Sequence, residues 1–98
     1  MREPLGIAVM TRTALRGTDK LVALSIAMYY NPSWGYAQVS TKRLAAACGM
    51  STASVSRAIS RLRDSGVFVI EDRGGSNRFT PQWDQFEQVS APRNPSEL

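Results

Sequence analysis

Ninety-eight residues weighing 10.8 kDa, 43% of them apolar and 20% charged, make one domain of ordinary composition and leave no room for a second. Every apolar run is too short to cross a bilayer, and Pro4, Gly6, Arg12 and Arg16 interrupt any signal-peptide core, so a cytoplasmic, reducing setting is expected rather than a membrane or export. With no histidine and one cysteine, Cys48, the chain has no internal disulfide, no Cys/His zinc site and no nucleophile with a histidine base, and no cofactor is expected.

The net charge of +4 comes from 12 basic and 8 acidic residues, unevenly spread. From Ser40 to Arg63 the charged residues are Lys42, Arg43, Arg57, Arg61 and Arg63, without one acid. Residues 82–98 carry Asp84, Glu87 and Glu97 against Arg93 alone. A compact positive field suits a polyanion, although a solvated surface can have the same composition.

In chain order, residues 1–17 read as an N-terminal extension in which Gly6 to Met10 can form a short strand and Thr13 to Arg16 a single turn. A helix is expected from Asp19 to Tyr30, capped by Thr18, with Asp19 suited to its dipole and Pro32 ending it. Leu21, Leu24, Ala27 and Met28 repeat at three and four and predict its buried stripe, widened by Val22 and Ile26. Trp34, in the Ser33–Gly35 turn, is expected to lid the core. Tyr36 to Val39 reads as a strand with Tyr36 and Gln38 on one side and Ala37 and Val39 on the other.

The second helix is expected over Thr41 to Cys48, capped by Ser40 or Thr41, with Leu44, Ala45 and Cys48 inward. Gly49 follows where a left-handed residue reverses the chain. Ser51 can cap a third helix from Thr52 to about Asp64, whose inner face is Val55, Ala58, Ile59 and Leu62, and Gly66 stops it. Val67 to Glu71 and Arg78 to Thr80 predict a β-hairpin around a tip at Asp72 to Asn77. Trp83, Phe86 and Val89 recur every three residues and allow a short C-terminal helix over 82–90, covering the core or serving as dimer contacts. Residues 91–98 read as a flexible tail or linker.

The informative stretch runs from Leu44 to Ile59. Two helices that cross steeply over a short turn need a small residue where they approach, a glycine in the turn, an apolar plug and a cap on the second helix. Ala45, Gly49, Met50 and Ser51 stand at those places, with Val55 and Ala58 buried against the preceding helix and a basic outer face beyond. An ordinary helical hairpin would show part of this pattern; the full set points to a helix-turn-helix.

With its inner face fixed, the third helix exposes Thr52, Ala53, Ser56 and Arg57 near its start, which makes them candidates for reading base edges in a major groove. Arg57 suits bidentate bonding to guanine, and the methyl groups of Thr52 and Ala53 suit thymine. Lys42, Arg43, Ser51, Ser54, Arg61 and Arg63 are candidates for the DNA backbone. Arg73 at the hairpin tip and Arg78 on its return strand would add a second contact, which Glu71 and Asp72 weaken electrostatically.

The order of elements and the phrase LAAACGMSTASVSRAISRLRDSGVFV resemble the winged helix-turn-helix family over residues 18–81, in particular plasmid and phage replication-initiator domains and small bacterial regulators. The resemblance implies an α+β fold, a three-helix core plus a β-hairpin wing, with the third helix in the major groove and the hairpin as the wing. Thr52, Ala53, Ser56 and Arg57 would then be the readers, and Arg73 and Arg78 the wing contacts.

Sequence-specific binding of double-stranded DNA is therefore expected, without chemistry: there is no phosphate loop and no HExxH motif, and Asp64, Glu71 and Asp72 fit a turn and a strand edge. A bacterial, plasmid or phage transcriptional regulator leads. The alternatives are the DNA-binding domain of a replication or partition protein, with a linker starting near Ser90, and a winged-helix module that binds protein. A module of this size suggests a homodimer or several copies on repeated sites.

Overall fold

A computed structural model describes residues 4–86. Its elements are α1 (Leu5–Arg12), α2 (Gly17–Met28), β1 (Tyr30–Asn31), β2 (Tyr36–Val39), α3 (Thr41–Cys48), α4 (Thr52–Ser65), β3 (Phe68–Asp72) and β4 (Asn77–Pro81), closed by a 3-10 turn at Trp83–Gln85. The four strands form an antiparallel sheet in the order β1-β2-β4-β3. In register, Ala37 faces Phe79, Gln38 faces Arg78 and Ile70 faces Phe79. This is the expected α+β winged helix-turn-helix, with one more helix in front.

That additional helix replaces the expected strand over Gly6 to Met10. A short apolar run does not by itself distinguish strand from helix. Here Leu5, Ala8 and Val9, spaced three and four apart, are buried. The carbonyls near the end of α1 are also satisfied: Thr11 and Thr13 hydroxyls donate to Ile7 and Val9 (2.8 and 2.7 Å), and Lys20 Nζ donates to the Met10 carbonyl (3.3 Å). Gly6 faces α2, where a Cβ would make ordinary contact with the Ala27 Cβ at 3.9 Å. The extension is thus part of the core.

The helix expected from Asp19 is α2, displaced two residues toward the N-terminus and without a side-chain cap from Thr18; its first turn closes on the Arg16 carbonyl. It also ends before Pro32. Tyr30 and Asn31 leave the helix to pair with Ala37 and Tyr36, and Asn31 closes the turn by accepting from Ser33, Trp34 and Gly35 N–H groups. The buried stripe is Val22, Ala23, Ser25 and Ile26, whereas Leu21 and Met28 are exposed. A helix apolar around most of its circumference gives no unique phase, and α1, α3 and α4 packing on it from different sides decides which residues are covered.

From β2 to β3 expectation and structure agree closely. Ser40 Oγ accepts from Arg43 N (3.0 Å) and caps α3; Ser51 Oγ accepts from Ser54 N (3.1 Å) and caps α4. Gly49 is left-handed at φ 65°, and the Met50 N–H returns to the Ala45 carbonyl. Val55, Ala58, Ile59 and Leu62 are all buried, facing Leu44 and Ala45. Ala37, Val39, Phe68 and Phe79 supply the sheet's share of the core. Each large side chain so buried contributes roughly 1.5–3 kcal/mol.

Two further expectations change. Trp34 is 61% exposed and stacks on Tyr36, so it does not lid the core. Within the described residues the C-terminal helix is the single turn at Trp83–Gln85, with Phe86 1% exposed and its ring 5.1 Å from that of Trp83. Phe86 therefore lies in the core and has no surface to present to a second copy. Val89 and the tail at 91–98 lie outside the described residues.

Candidate nucleic-acid interface

The start of α4 is the exposed end of the helical pair. Thr52, Ala53, Ser56 and Arg57 are all solvent-facing, as their phase against Val55, Ala58 and Ile59 requires. Arg57 Nη2 donates to Ser54 Oγ at 3.3 Å, and Ser54 in turn receives the Ser51 hydroxyl at 3.0 Å. This chain of small side chains orients Arg57 along the helix face and leaves its other donors directed outward. Ser51 and Ser54, expected on the DNA backbone, are thus also the cap of the helix and the support of Arg57.

The backbone candidates separate into three groups. Lys42 and Arg43 are exposed in the first turn of α3, and Lys42 shares a groove with the hairpin tip. Arg61 lies on the same face of α4 as Arg57, one turn on, but it is held within the protein. Its Nε donates to both Asp19 oxygens (2.8 and 3.0 Å), and Nη2 lies 2.8 Å from Oδ1. The hydrogen bonds to Asp19 raise the Arg61 pKa further above its ordinary value, with their charge attraction adding to the effect and partial desolvation opposing it. Arg61 therefore links α4 to the start of α2, so an arm toward phosphate would have to leave Asp19. Arg63 lies eleven residues after Thr52, about 16 Å along the axis, and lines a shallow groove with Phe68, Val69 and Gln85. It is remote from the reading end.

The hairpin is fastened to both α3 and β2. Asn77 Nδ2 donates to Thr41 Oγ1 (3.2 Å) and Gln38 Nε2 to Ser76 Oγ (3.2 Å). Arg73 N–H donates to the Ser76 carbonyl (2.8 Å) around Gly74 and Gly75, both at positive φ, which is the tight primed turn that matches strand twist. The two acids that weaken the wing's field have local work: Asp72 Oδ1 accepts from Gly74 N (3.0 Å), and Glu71 lies 3.9 Å from Arg73. A groove of about 280 Å³ between the α3 start and this tip is lined by Ser40, Thr41, Lys42, Asp72, Gly75, Ser76 and Asn77.

Arg73 is on the tip, as expected. Arg78 is on the return strand β4, also as expected, but it sits half-buried on the outer sheet face, its guanidinium 4.1 Å over the Tyr36 ring, with its buried Nε making no hydrogen bond. The resulting Trp34–Tyr36–Arg78 stack is the feature sequence reading missed. Its only trace in the sequence is the same-side placement of Tyr36 and Gln38, which leaves an aromatic on the face away from the core. The Asp19–Arg61 clamp left no signal, because its partners are far apart in the chain.

A family model described as a helix-turn-helix domain matches residues 13–67, a span that runs from the lead-in to α2 through α4 to the start of the hairpin. Comparison with curated proteins and with solved structures returns no match.

Proposed function

Because the chain belongs to the helix-turn-helix domain family, we propose that it binds double-stranded DNA in a sequence-specific manner and acts by occupying its site, without chemistry of its own, as a transcriptional regulator in the cytoplasm. The observation that carries this reading is the arrangement at the α4 start. Thr52, Ala53, Ser56 and Arg57 form an exposed edge with Arg57 supported from below, and no described acid pairs with Arg57.

α4 enters the major groove by that end, and short side chains there let its backbone lie deep. Lys42 and Arg43 meet the phosphates alongside, and Arg73 reaches the next stretch of backbone from the wing tip. Arg57 distinguishes sites; the other cations hold the duplex in register. A second copy on a repeated site would supply the additional area that a small module lacks.

Selection of bound duplexes from a random library at physiological salt tests the proposal. Enrichment of an inverted repeat spaced by about one helical turn is the outcome expected of a two-fold regulator. Direct repeats would move the role to replication or partition. No enrichment over random DNA would defeat sequence-specific binding and favour a protein partner.

A further inference from the structure

The outer face of the sheet carries an exposed aromatic, Trp34, that duplex binding does not use. β1 pairs with β2 only as far as Ala37. Beside Gln38 and Val39 the molecule therefore opens into a groove of about 550 Å³, within the usual size range of small-ligand sites (about 300–1,000 Å³). Its lining includes Tyr29, Trp34, Gln38, Ser40, Arg43 and Ser76.

Three observations bear on what it takes. Trp34 is 61% exposed yet fixed in orientation, its ring 5.6 Å from Tyr36 at an interplanar angle of 29°, with Tyr36 held in turn under Arg78. A flat ring already held in place is a stacking platform that loses little freedom on binding. Arg43, at the other side of the groove, makes no ion pair with any described residue and offers a charge to an anion. Ser40 and Ser76 line both this groove and the one between α3 and the wing, so the two adjoin. A strand whose phosphates follow the α3 start thus has a path into the groove.

We propose that this groove holds an unpaired nucleobase of the bound DNA, stacked on Trp34 with an adjacent phosphate at Arg43, so that the protein prefers a site flanked by single strand to the same site in continuous duplex. The proposal rests on the duplex-binding reading and adds to it the form of DNA that is preferred. A base still paired cannot enter, because its flat face is covered by its neighbours in the stack; an opened or terminal one can. Gln38, Ser40 and Ser76 offer hydrogen-bonding groups to the base edge, but stacking on an aromatic tolerates any base, so this contact is expected to be insensitive to sequence.

The test uses the full chain and the library-selected site, in blunt duplexes and in duplexes carrying a short single-stranded overhang on either strand, starting at successive base pairs from the site. 2-Aminopurine replaces the first unpaired base. The readout is the ratio of overhang to blunt affinity for the natural protein, Trp34→Ala and Trp34→Phe, with thermal melts confirming that the variants fold. The expected result is a ratio of about 5 to 150 for one overhang polarity, with quenched 2-aminopurine, a ratio near one for Trp34→Ala and most of the gain retained by Trp34→Phe. Equal affinity for blunt and overhang DNA, or a gain that Trp34→Ala leaves intact, overturns the inference and leaves duplex binding standing. Failure to bind either DNA overturns both.

Discussion

Replacing Asp19 with alanine should make this protein bind DNA with a steeper salt dependence, even though Asp19 lies on a helix that reads no base. Arg61 is on the same side of α4 as Arg57, one turn beyond it, but its guanidinium is tied to Asp19 through contacts of 2.8, 3.0 and 2.8 Å. Without the carboxylate the guanidinium is released toward the phosphates that pass over that side. Each phosphate neutralised adds about −0.9 to the slope of log affinity against log salt. The Asp19→Ala slope should therefore be steeper by about 0.9, which between 50 and 200 mM salt is an additional loss of roughly 3.5-fold. Arg61→Ala alone should leave the slope at its natural value, and the double variant should return to it, which separates the release of Arg61 from the mere loss of a negative charge. Fluorescence anisotropy on a random-sequence duplex across a salt series measures all four proteins. If Arg61→Ala alone lowers the slope by about 0.9, Arg61 already contacts a phosphate and the clamp does not withhold it.

Gly49→Ala should lower the melting temperature by about 4–16 °C in a thermal melt. No atom lies within 4 Å of the added Cβ, so the cost is the left-handed backbone alone, about 1–2 kcal/mol in a domain of this size; Gly49→Asn should lose less, and a much larger loss would mean a clash. Leu5→Ala should cost about 2 kcal/mol in urea unfolding, because Leu5 is 4% exposed against α2, and an unchanged midpoint would place α1 outside the cooperative core. Arg73→Ala should weaken selected and random duplexes alike and make the salt slope shallower by about 0.9, whereas a loss confined to the selected site would make Arg73 a base reader.

The helix-turn-helix was legible in the sequence because its determinants are local. Ser40, Gly49, Ser51 and Gly66 each fix one end of a helix through backbone chemistry, and Val55, Ala58, Ile59 and Leu62 phase α4 because its other faces are polar. α2 was misphased for the opposite reason: with apolar residues on most sides, only the packing of three other helices selects Val22 and Ile26 over Leu21 and Met28. Gly6 to Met10 forms a helix and not the expected strand because Leu5, outside that run, completes the helical spacing with Ala8 and Val9. At the candidate site the exposed edge of α4 followed from phase alone. What happens to a long side chain after it leaves the helix did not, since the carboxylate that holds Arg61 and the ring that holds Arg78 are brought near by the fold.

In the proposed function Arg57, supported by Ser54 on the exposed start of α4, is the residue that discriminates between sites. The most direct measurement compares natural protein and Arg57→Ala on the library-selected site and on random duplex at one physiological salt concentration. The expected result is a loss of about 5- to 150-fold on the selected site, the value of one bidentate arginine–guanine pair (1–3 kcal/mol), with a much smaller loss on random DNA. Equal losses on the two would reduce Arg57 to a phosphate contact and contradict the assignment of the α4 start as the reading edge.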